Sequence, residues 1–458
     1  MFRRVLVANR GEIARRVIKT LNRMGIQSVA LFSEADRDAG YLKEAHDAIC
    51  IGGPLAKESY LCEDAILEAA LQTDCEALHP GFGFLSENAR FATRCAQQKL
   101  AFIGPLPHHI DLMGDKAKAI ETMRMLKVPT LTGSDGVVAT FEQAHQLALS
   151  MGFPVLLKAR AGGGGKGMRL VEQASQLKDA FFEARMEAQS AFGDQELYLE
   201  KFIRNARHIE FQILGDAYGN VVVLGERECS VQRKNQKLLE EGPANGFSEQ
   251  QRQTMCATIA KAMKQIGYQS AGTLEFLLDG DHNLYFMEMN TRIQVEHPVT
   301  ELLYGVDLIE WQVRIAAQEK LNLKQEDLQP RGAAIECRIN AEDPILNFKP
   351  TPGLIEYYQE PAQAIGGPVR IDTHITKGFR VSPYYDSLLA KVIVHAGSRP
   401  EALRLMRDTL GALKIAGVTT TIPFHKAILS HPEFVEGRYD CSFIAKHFEE
   451  LLVMSTKE

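Results

Sequence analysis

The first third of the chain alternates short apolar segments with amphipathic ones. Residues 4–8 and 28–32 are apolar runs that predict two strands. The segment between them predicts a helix over residues 11–25, because its apolar residues recur on one stripe: Ile13, Ala14, Val17, Ile18, Leu21 and Met24. Strands that alternate with helices favour a parallel sheet covered by helices, so we expect a doubly wound α/β fold in this region.

A loop rich in glycine and proline follows the predicted strand that starts at residue 77. Its sequence is His79-Pro80-Gly81-Phe82-Gly83. Loops at the carboxyl ends of parallel strands line ligand crevices, although an ordinary structural turn explains the composition equally well. The first strand is not followed by the spacing G-x-G-x-x-G, which argues against a dinucleotide site in this region.

A run of glycines at residues 162–165 lies between two predicted strands, with Lys158 before it and Lys166 after it. It is not a P-loop, because Arg160 stands where the first glycine is required and Gly167 follows the lysine. A glycine loop between strands can close over a nucleotide with its N–H groups towards the phosphates. We interpret the segment as a nucleotide lid, with an ordinary flexible hairpin as the alternative.

Polar and apolar side chains alternate along residues 284–296, as on a half-buried strand. A four-residue loop at 280–283 pairs Asp279 with Leu284 and Glu275 with Glu288. Opposed carboxylates repel, and a bound cation removes that cost. The pattern therefore predicts a magnesium site, with a solvated face of cross-strand ion pairs as the alternative. If the strand is regular, one face carries Glu288, Asn290, Arg292, Gln294 and Glu296.

Three further segments carry candidate chemistry. Residues 226–237 are dense in charge and are interpreted equally well as a surface loop or as part of a site. Residues 200–203 end a predicted strand and could offer backbone hydrogen bonds to an adenine edge. Arg338 lies in an otherwise apolar strand, so it needs an acidic partner or a ligand, of which the partner is the more common case.

Composition limits the class of protein. The chain has 458 residues, 45% hydrophobic, and a net charge of −6, which excludes a broad basic surface for nucleic acid. We expect no membrane association and a cytoplasmic protein with reduced thiols, because no apolar span is present and the eight cysteines include no CxxC. Pattern changes predict domains at 1–113, 114–330 (with a lid subdomain at about 131–203) and 331–446.

These residues together resemble the ATP-grasp superfamily and, within it, the biotin carboxylases. The resemblance runs from about Val5 to Phe443, and its most specific element is the run from Glu288 to Glu301. It implies a Rossmann-like N-terminal domain, a central ATP-grasp domain with a glycine-rich lid and a mixed C-terminal domain. It also implies ATP-dependent carboxylation of biotin by bicarbonate through carboxyphosphate, with Mg²⁺ or Mn²⁺.

The resemblance assigns roles to individual residues. Glu296 would be the general base and Arg338 would stabilise the biotin enolate, with Lys237 and Arg292 also catalytic. Bicarbonate and biotin would contact Lys237, Arg292, Gln294, Val295, Arg338 and Phe82. The metal would be held by Glu275, Glu288 and Asn290. ATP would contact Lys116, Lys158, Gly164, Gly165, Glu200, Lys201, Phe202, Ile203, His208, Gln232, Asn235, Glu275 and Glu288.

Three positions depart from the family pattern. Asn235 stands where many bacterial relatives carry a histidine, Phe82 stands where a tyrosine is common, and Ala161 replaces a glycine of the lid. These departures affect the expected fine tuning of the site rather than the expected reaction.

The resemblance also implies partners. The carrier motif Ala-Met-Lys-Met is absent, since residues 262–265 read Ala-Met-Lys-Gln in a helical pattern. We therefore expect a separate subunit, dimeric as relatives commonly are, that acts on a biotin carboxyl carrier protein and supplies a carboxyltransferase subunit. The final acceptor stays open between acetyl-CoA, as in the acetyl-CoA carboxylase of fatty acid biosynthesis, another acyl-CoA and a 2-oxo acid. The alternatives are another ATP-grasp carboxylate ligase and a non-catalytic nucleotide-binding subunit.

Overall fold

The N-terminal region is a five-stranded parallel sheet with helices on both faces. A computed structural model describes residues 1–134, 136–160, 167–361 and 367–456 of the chain. The elements of this region are β1 (Arg4–Val7), α1 (Gly11–Arg23), β2 (Gln27–Phe32), β3 (Asp47–Cys50), α2 (Glu63–Gln72), β4 (Ala77–His79), α3 (Ala89–Gln97), β5 (Ala101–Phe102) and α4 (Pro107–Gly114).

The strands of this sheet lie in the order β3-β2-β1-β4-β5, and all neighbours pair in parallel. Alternate residues of β1 enter different cores. Val5 and Val7 pack in the core that α1 covers, whereas Leu6 packs in the core that α2 and α3 cover. The predicted doubly wound arrangement is therefore confirmed, and the loop after β4 lies at the carboxyl edge of the sheet.

The central region contains a small sheet and part of a larger one. Its elements are α5 (Lys116–Met125), α6 (Phe141–Met151), β6 (Val155–Ala159), β7 (Met168–Val171), α7 (Ala174–Phe192), β8 (Leu197–Lys201), β9 (Arg207–Gly215), β10 (Val221–Arg233), β11 (Gln236–Gly242), α8 (Glu249–Gln265), β12 (Ser270–Leu278), β13 (Leu284–Asn290), α9 (His297–Tyr304) and α10 (Leu308–Ala316).

The glycine run joins two antiparallel strands, as the sequence predicts. Strand β6 pairs with β7 on one side and with β8 on the other, and the three strands pack against α6 and α7. The predicted lid glycines Gly164 and Gly165, together with Ala161, lie outside the described residues.

The C-terminal region mixes short and long strands with helices. Its elements are β14 (Ala333–Asn340), β15 (Glu342–Asp343), β16 (Lys349–Pro350), β17 (Gly353–Leu354), β18 (Tyr357–Gln359), β19 (Val369–Thr373), β20 (Arg380–Val381), β21 (Leu388–Ala396), α11 (Arg399–Ala412), β22 (Lys414–Ala416), α12 (Ile422–Ser430), α13 (Pro432–Val435) and α14 (Phe443–Ser455).

One eight-stranded antiparallel sheet connects the central and C-terminal regions. Its order is β13-β12-β9-β10-β11-β14-β21-β19, so β11 of the central region pairs directly with β14 of the C-terminal region. Among the described residues, none of the helices combines the length and the apolarity that a membrane span needs.

The structure corrects two expectations from the sequence and decides between two alternatives. Residues 284–296 are not one regular strand, because β13 ends at Asn290 and α9 begins at His297. Leu284 pairs with Leu278 and not with Asp279. Residues 226–233 are not a surface loop but part of β10, where Arg227 is completely buried.

Candidate active site

A large cavity of about 1930 Å³ lies where the three regions meet. The residues predicted for the site that line it are Phe82, Lys116, Lys158, Glu200, His208, Gln232, Asn235, Lys237, Glu275, Glu288, Asn290, Arg292, Gln294, Val295, Glu296 and Arg338. The structure therefore brings together, in one place, residues that are separated by more than two hundred positions in the sequence.

Glu275 and Glu288 face each other across two antiparallel strands, as predicted from the sequence. Their pairing depends on a β-bulge: Phe276 pairs with Phe286 and Glu275 with Glu288, so Met287 is an extra residue in β13. The turn at residues 279–283 is one residue longer than predicted, so without this bulge Glu275 would pair with Met287 and not with Glu288.

The segment from Thr291 to Glu296 leaves the sheet and is held in place by other regions. Glu87, in the N-terminal region, accepts hydrogen bonds from the backbone N–H of Thr291 (3.0 Å) and from Nε of Arg292 (2.9 Å). Nζ of Lys391, in β21, donates to the carbonyl oxygen of Val295 (2.7 Å). The polar residues of this segment thus reach the cavity through a supported turn and not through strand alternation.

Lys237 forms ion pairs with three carboxylates of the site. Its Nζ lies 2.6 Å from Glu210, 3.0 Å from Glu275 and 2.7 Å from Glu296. Burial works against the charged ammonium, but these three carboxylates outweigh it and raise the pKa of Lys237 well above its usual value. The lysine is therefore a fixed positive charge between the paired acids and Glu296.

Arg338 is the second cation on Glu296. Its Nη2 lies 3.0 Å from Glu296, and its Nε donates to Glu240 (2.6 Å). Burial disfavours ionisation of Glu296, but Lys237 and Arg338 prevail and hold its pKa well below its usual value. The partner interpretation of Arg338 is correct, and its two acidic partners include the candidate base.

A completely buried arginine, Arg227, holds several side chains of the site in place. Arg227 donates to Glu210 (2.6 Å), to the side-chain oxygen of Gln294 (2.8 Å) and to Thr300 (2.7 Å). Because these acceptors are also buried, the pairing compensates the cost of removing the guanidinium from water. Arg227 therefore fixes the amide of Gln294 so that its Nε2 donates to Glu275 (2.8 Å).

Cations and acids are paired along the side of the cavity that was predicted to bind ATP. Nζ of Lys116 lies 3.0 Å from Glu288, and Lys158 forms an ion pair with Glu200. Nε2 of His208 lies 3.1 Å from Glu275. Each of these basic groups is thus held in place by an acid and borders the cavity.

Three residues predicted to bind ATP line a different cavity. Lys201, Phe202 and Ile203 border a smaller cavity of about 300 Å³ next to the first one. Nζ of Lys201 donates to the carbonyl oxygens of Gly152 (2.9 Å) and Phe153 (3.1 Å), so its ammonium is held by the backbone of the lid region.

The oxygen ligands that magnesium prefers are present at the paired acids. Glu275 Oε1 accepts hydrogen bonds from Asn290 (2.8 Å) and Gln294 (2.8 Å), and Oδ1 of Asn290 accepts one from Arg292 (2.7 Å). The carboxylates of Glu275 and Glu288 and the amide oxygen of Asn290 thus fit a hard divalent ion. Such an ion would take the place of the N–H groups that these oxygens now accept from. Two buried groups of the described residues could also ligate a metal ion, His208 with Glu210 and Glu275, and Glu210 with Cys229 and Glu296.

Sequence reasoning assigned no role to several residues of the site. Glu210 could have been found, because polar and apolar residues alternate over residues 208–213 as on a half-buried strand. Glu240 could not, because its contact with Arg338 depends on the register between β11 and β14. Glu87 could not be found either, because no sequence pattern joins it to Arg292.

Three family models match consecutive parts of the chain. They describe the N-terminal domain of biotin carboxylase (residues 1–110), the ATP-binding domain of the carbamoyl-phosphate synthase L chain (115–324) and the C-terminal domain of biotin carboxylase (336–446). The chain is 52% identical over 449 residues to the chloroplastic biotin carboxylase of Arabidopsis thaliana, which covers 98% of this chain and 83% of that protein. The chain belongs to the biotin carboxylase family.

Other members of the biotin carboxylase family are similar over their whole length. The biotin carboxylase of Nostoc sp. is 51% identical over 97% of this chain and 98% of its own. The 2-oxoglutarate carboxylase small subunit of Hydrogenobacter thermophilus is 49% identical over 98% and 94%. The crystal structure of the biotin carboxylase domain dimer of that carboxylase, in complex with MgADP, ADP and bicarbonate, has a TM-score of 0.92 at 48% identity, over 98% of this chain and 99% of its own. The predicted fold class is confirmed.

Proposed function

We propose that this chain is an ATP-dependent ligase that carboxylates biotin with bicarbonate, as the first half-reaction of a biotin-dependent carboxylase. One observation carries the proposal: Lys237 and Arg338 both hold Glu296, in the same cavity as the paired acids Glu275 and Glu288. Paired acids, fixed cations and an ionised carboxylate thus lie side by side, which supports binding of a metal-bound phosphate next to a small anion. Another ATP-grasp carboxylate ligase would not need Lys237, Arg292, Glu296 and Arg338 together.

Bicarbonate is a small anion and needs fixed cations to hold it. We assign this role to Lys237 and Arg292, with Gln294 and the backbone of Val295 completing the site. Three carboxylates at 3.0 Å or less keep the ammonium of Lys237 charged, so Lys237 offers a permanent positive charge to the bicarbonate. Holding the reactants in one orientation lowers the entropic part of the barrier.

Glu296 is the general base in this proposal. Its low pKa keeps it ionised, and therefore able to accept a proton, at neutral pH. It takes the proton of bicarbonate while the bicarbonate oxygen attacks the γ-phosphorus of ATP and ADP leaves. Carboxyphosphate then releases CO₂ and phosphate. The phosphate takes the ureido proton of biotin, whose nitrogen attacks CO₂, and Arg338 stabilises the enolate that forms.

ATP and its metal occupy the opposite part of the site. We assign the phosphates to Lys116, Lys158 and His208, and the nucleotide base to residues 200–203 with Gln232 and Asn235. Magnesium or manganese is assigned to Glu275, Glu288 and Asn290, where it would neutralise charge on the phosphates. The lid glycines Gly164 and Gly165 remain part of this proposal.

The partners and the domain limits are proposals of the same kind. We propose domains at 1–113, 114–330 and 331–446, a homodimer, and a separate biotin carboxyl carrier protein and carboxyltransferase subunit. Support comes from relatives that are subunits of larger carboxylases and from a related structure that is a dimer. The cytoplasm remains the proposed location, although relatives in plants are chloroplastic.

The decisive experiment measures ADP release by the purified chain with magnesium and ATP. Bicarbonate should be required, and free biotin should increase the rate. ADP release that is indifferent to bicarbonate but responds to another carboxylate would favour the alternative ATP-grasp ligase. ATP binding without any turnover, also in the presence of a biotinylated carrier protein, would favour a non-catalytic subunit.

A further inference from the structure

A cluster of two histidines and a glutamate lies in the C-terminal region, outside the active-site cavity. His431 directly precedes α13, and His447 and Glu450 lie one turn apart in α14. The two imidazole rings have centroids 4.3 Å apart, and one possible ligand atom of each of the three residues lies within 4.8 Å of the others. None of the three lines the active-site cavity.

The distances from Glu450 to the two histidines match those between ligands of one metal ion. Oε2 of Glu450 lies 3.4 Å from Nε2 of His431 and 3.4 Å from Nδ1 of His447. Both distances exceed the usual hydrogen-bond range of about 2.7–3.2 Å. Two ligands bound at about 2.0–2.1 Å to a tetrahedral zinc ion lie about 3.3–3.4 Å apart. The distance from the Glu450 oxygen to one nitrogen of each ring therefore equals the distance between two ligands of one zinc ion.

The other nitrogen of His447 has the partner that metal-bound histidines usually have. Its Nε2 lies 3.0 Å from Oε2 of Glu433, and since a carboxylate only accepts, Nε2 is the nitrogen that carries the proton. This leaves the lone pair of Nδ1 directed to the cluster. A carboxylate behind a ligating histidine fixes its tautomer and raises its basicity.

The surrounding structure places the two rings independently. His431 is almost completely buried and packs edge-on against Phe443, with ring centroids 5.1 Å apart. The regular geometry of α14 is interrupted at His447, whose φ of −109° and ψ of 15° are not helical. Glu450 is 58% exposed, so an ion at the cluster would keep one side open to water.

Protonation is the competing explanation for the cluster, with His447 as an imidazolium between Glu433 and Glu450. It accounts for only one of the two rings, because two imidazolium ions with centroids 4.3 Å apart would repel each other. A divalent ion would bind Nε2 of His431, Nδ1 of His447 and the carboxylate at the same time. Two imidazoles and a carboxylate, with a water as fourth ligand, form a ligand set that Zn²⁺ accepts.

We propose that His431, His447 and Glu450 bind a zinc ion, with Glu433 orienting His447. The ion would join α14 to the turn between α12 and α13, and so fasten the last helix to the core that contains Phe434 and Phe443. It would be separate from the magnesium of the active site and would have a structural role.

The test compares zinc binding by the parent chain and by Glu450→Gln, after removal of metals with a chelator. Zinc is then added stepwise until binding is saturated and the bound amount is measured by mass spectrometry, with Co²⁺ absorption as a second readout. Glu450→Gln should bind one zinc equivalent fewer than the parent and should lose the visible Co²⁺ bands. Glu433→Gln should bind the same ion about 10–100-fold more weakly.

Glu449→Gln is the matched control, because Glu449 is the exposed neighbour of Glu450 in the same helix. The control should keep the full zinc equivalent and the rise in melting temperature that zinc causes in the parent. Zinc bound at the buried group of His208, Glu210 and Glu275 would be retained in all these variants, so it does not affect the comparison. Equal zinc content of Glu450→Gln and Glu449→Gln, or no zinc retained by the parent, overturns the proposal.

Discussion

At the scale of single residues, the Glu296 carboxylate is a weak base in the position that we propose for the general base. Lys237 and Arg338 lie 2.7 Å and 3.0 Å from its oxygens and hold its pKa down. A bound bicarbonate competes for the same cations, and phosphoryl transfer then removes negative charge from the bicarbonate oxygen. Proton transfer therefore becomes favourable together with attack on ATP and not before it.

Glu296→Gln should leave ATP binding nearly intact and should lower bicarbonate-dependent turnover by about 10²–10⁴-fold, the usual contribution of a general base. The amide keeps the shape of the side chain but does not accept a proton. The ion pairs of the ATP side, Lys116 with Glu288 and Lys158 with Glu200, do not involve Glu296. The measurements are nucleotide affinity and the rate of ADP release with bicarbonate. Unchanged turnover would remove Glu296 from the mechanism.

Two buried carboxylates behind Arg338 make the stability of the chain depend on pH. Glu240 and Glu336 are directly opposed in β11 and β14, and neither oxygen of Glu336 has a hydrogen-bond partner among the described residues. Burial raises the pKa of Glu240 to about 7 and the pKa of Glu336 well above its usual value. The folded chain therefore binds more protons at these two groups than the unfolded chain, and their contribution to stability falls as pH rises from about 4.5 through 7.

Glu336→Gln should make the melting temperature less sensitive to pH between 5.5 and 8. The amide removes one buried carboxylate, and it also lowers the pKa of Glu240, because the repulsion across the strands is gone. The parent should lose up to about 1.4 kcal/mol per pH unit for each proton released, and the variant less. Glu356→Gln, at an exposed position, is the control and should follow the parent. Parallel curves for parent and Glu336→Gln would contradict this assignment.

At the scale of elements, the pairing of Glu275 with Glu288 shows what sequence reasoning could and could not supply. Alternation of polar and apolar residues identified the acids and their shared face. The predicted turn was one residue too short, and the bulge at Met287 compensates for that difference. Neither feature has a clear sequence signal, so the prediction was correct through two compensating deviations. The end of β13 at Asn290 was also missed, because side chains of Glu87 and Lys391 hold the following turn from distant parts of the chain.

The loop after β4 is an element whose conformation requires glycine. Gly81 has a φ of 63°, and a Cβ atom at this position would lie 2.8 Å from Nδ2 of Asn9. That same nitrogen donates to the carbonyl oxygens of Pro80 (2.7 Å) and Phe82 (2.8 Å). The position of Phe82, which lines the cavity, therefore depends on the contact between Asn9 and this loop.

Gly81→Ala should raise the KM for biotin and leave the KM for ATP unchanged, because the displaced loop is on the side assigned to biotin. Gly83→Ala is the matched control: its φ of 69° gives the same backbone strain, but a Cβ there meets no atom within 4 Å. Both variants should lose about 1 kcal/mol of stability from the strained backbone, and only Gly81→Ala should change biotin kinetics. Equal kinetics in the two variants would show that Asn9 does not position Phe82.

At the scale of the whole molecule, the site exists only where the three regions meet. The sequence predicted three domains, but the eight-stranded sheet continues from the central to the C-terminal region through the pairing of β11 with β14. Periodicity within a segment carries no information about such long-range pairing. The N-terminal region is joined to this sheet by buried charge: Lys391, completely buried in β21, lies 3.2 Å from Glu12 of α1 and donates to Val295 at the active site.

Lys391→Met should therefore weaken both the assembly of the regions and the reaction. Removing one partner from a buried ion pair typically costs about 3–5 kcal/mol, because the other charge is left without compensation. The carbonyl of Val295 also loses its donor, and misplacement of a substrate-binding segment by about 1 Å can lower kcat/KM by about 100-fold. We expect a lower melting temperature and a lower kcat/KM for bicarbonate, with a smaller effect on nucleotide affinity.

The pH dependence of Lys391→Met tests whether Glu12 is the charge that the substitution leaves without a partner. Burial already raises the pKa of Glu12 to about 6, and Lys391 opposes that rise. Without the lysine the pKa rises further, so the deficit in melting temperature relative to the parent should grow from pH 5.5 to pH 8. The double variant Glu12→Gln/Lys391→Met has no carboxylate to protonate and should recover most of that deficit at pH 8, but not the loss in kcat/KM, which depends on Val295. If the melting temperature of the double variant does not recover at pH 8, Glu12 is not the group through which Lys391 joins the N-terminal region to the sheet.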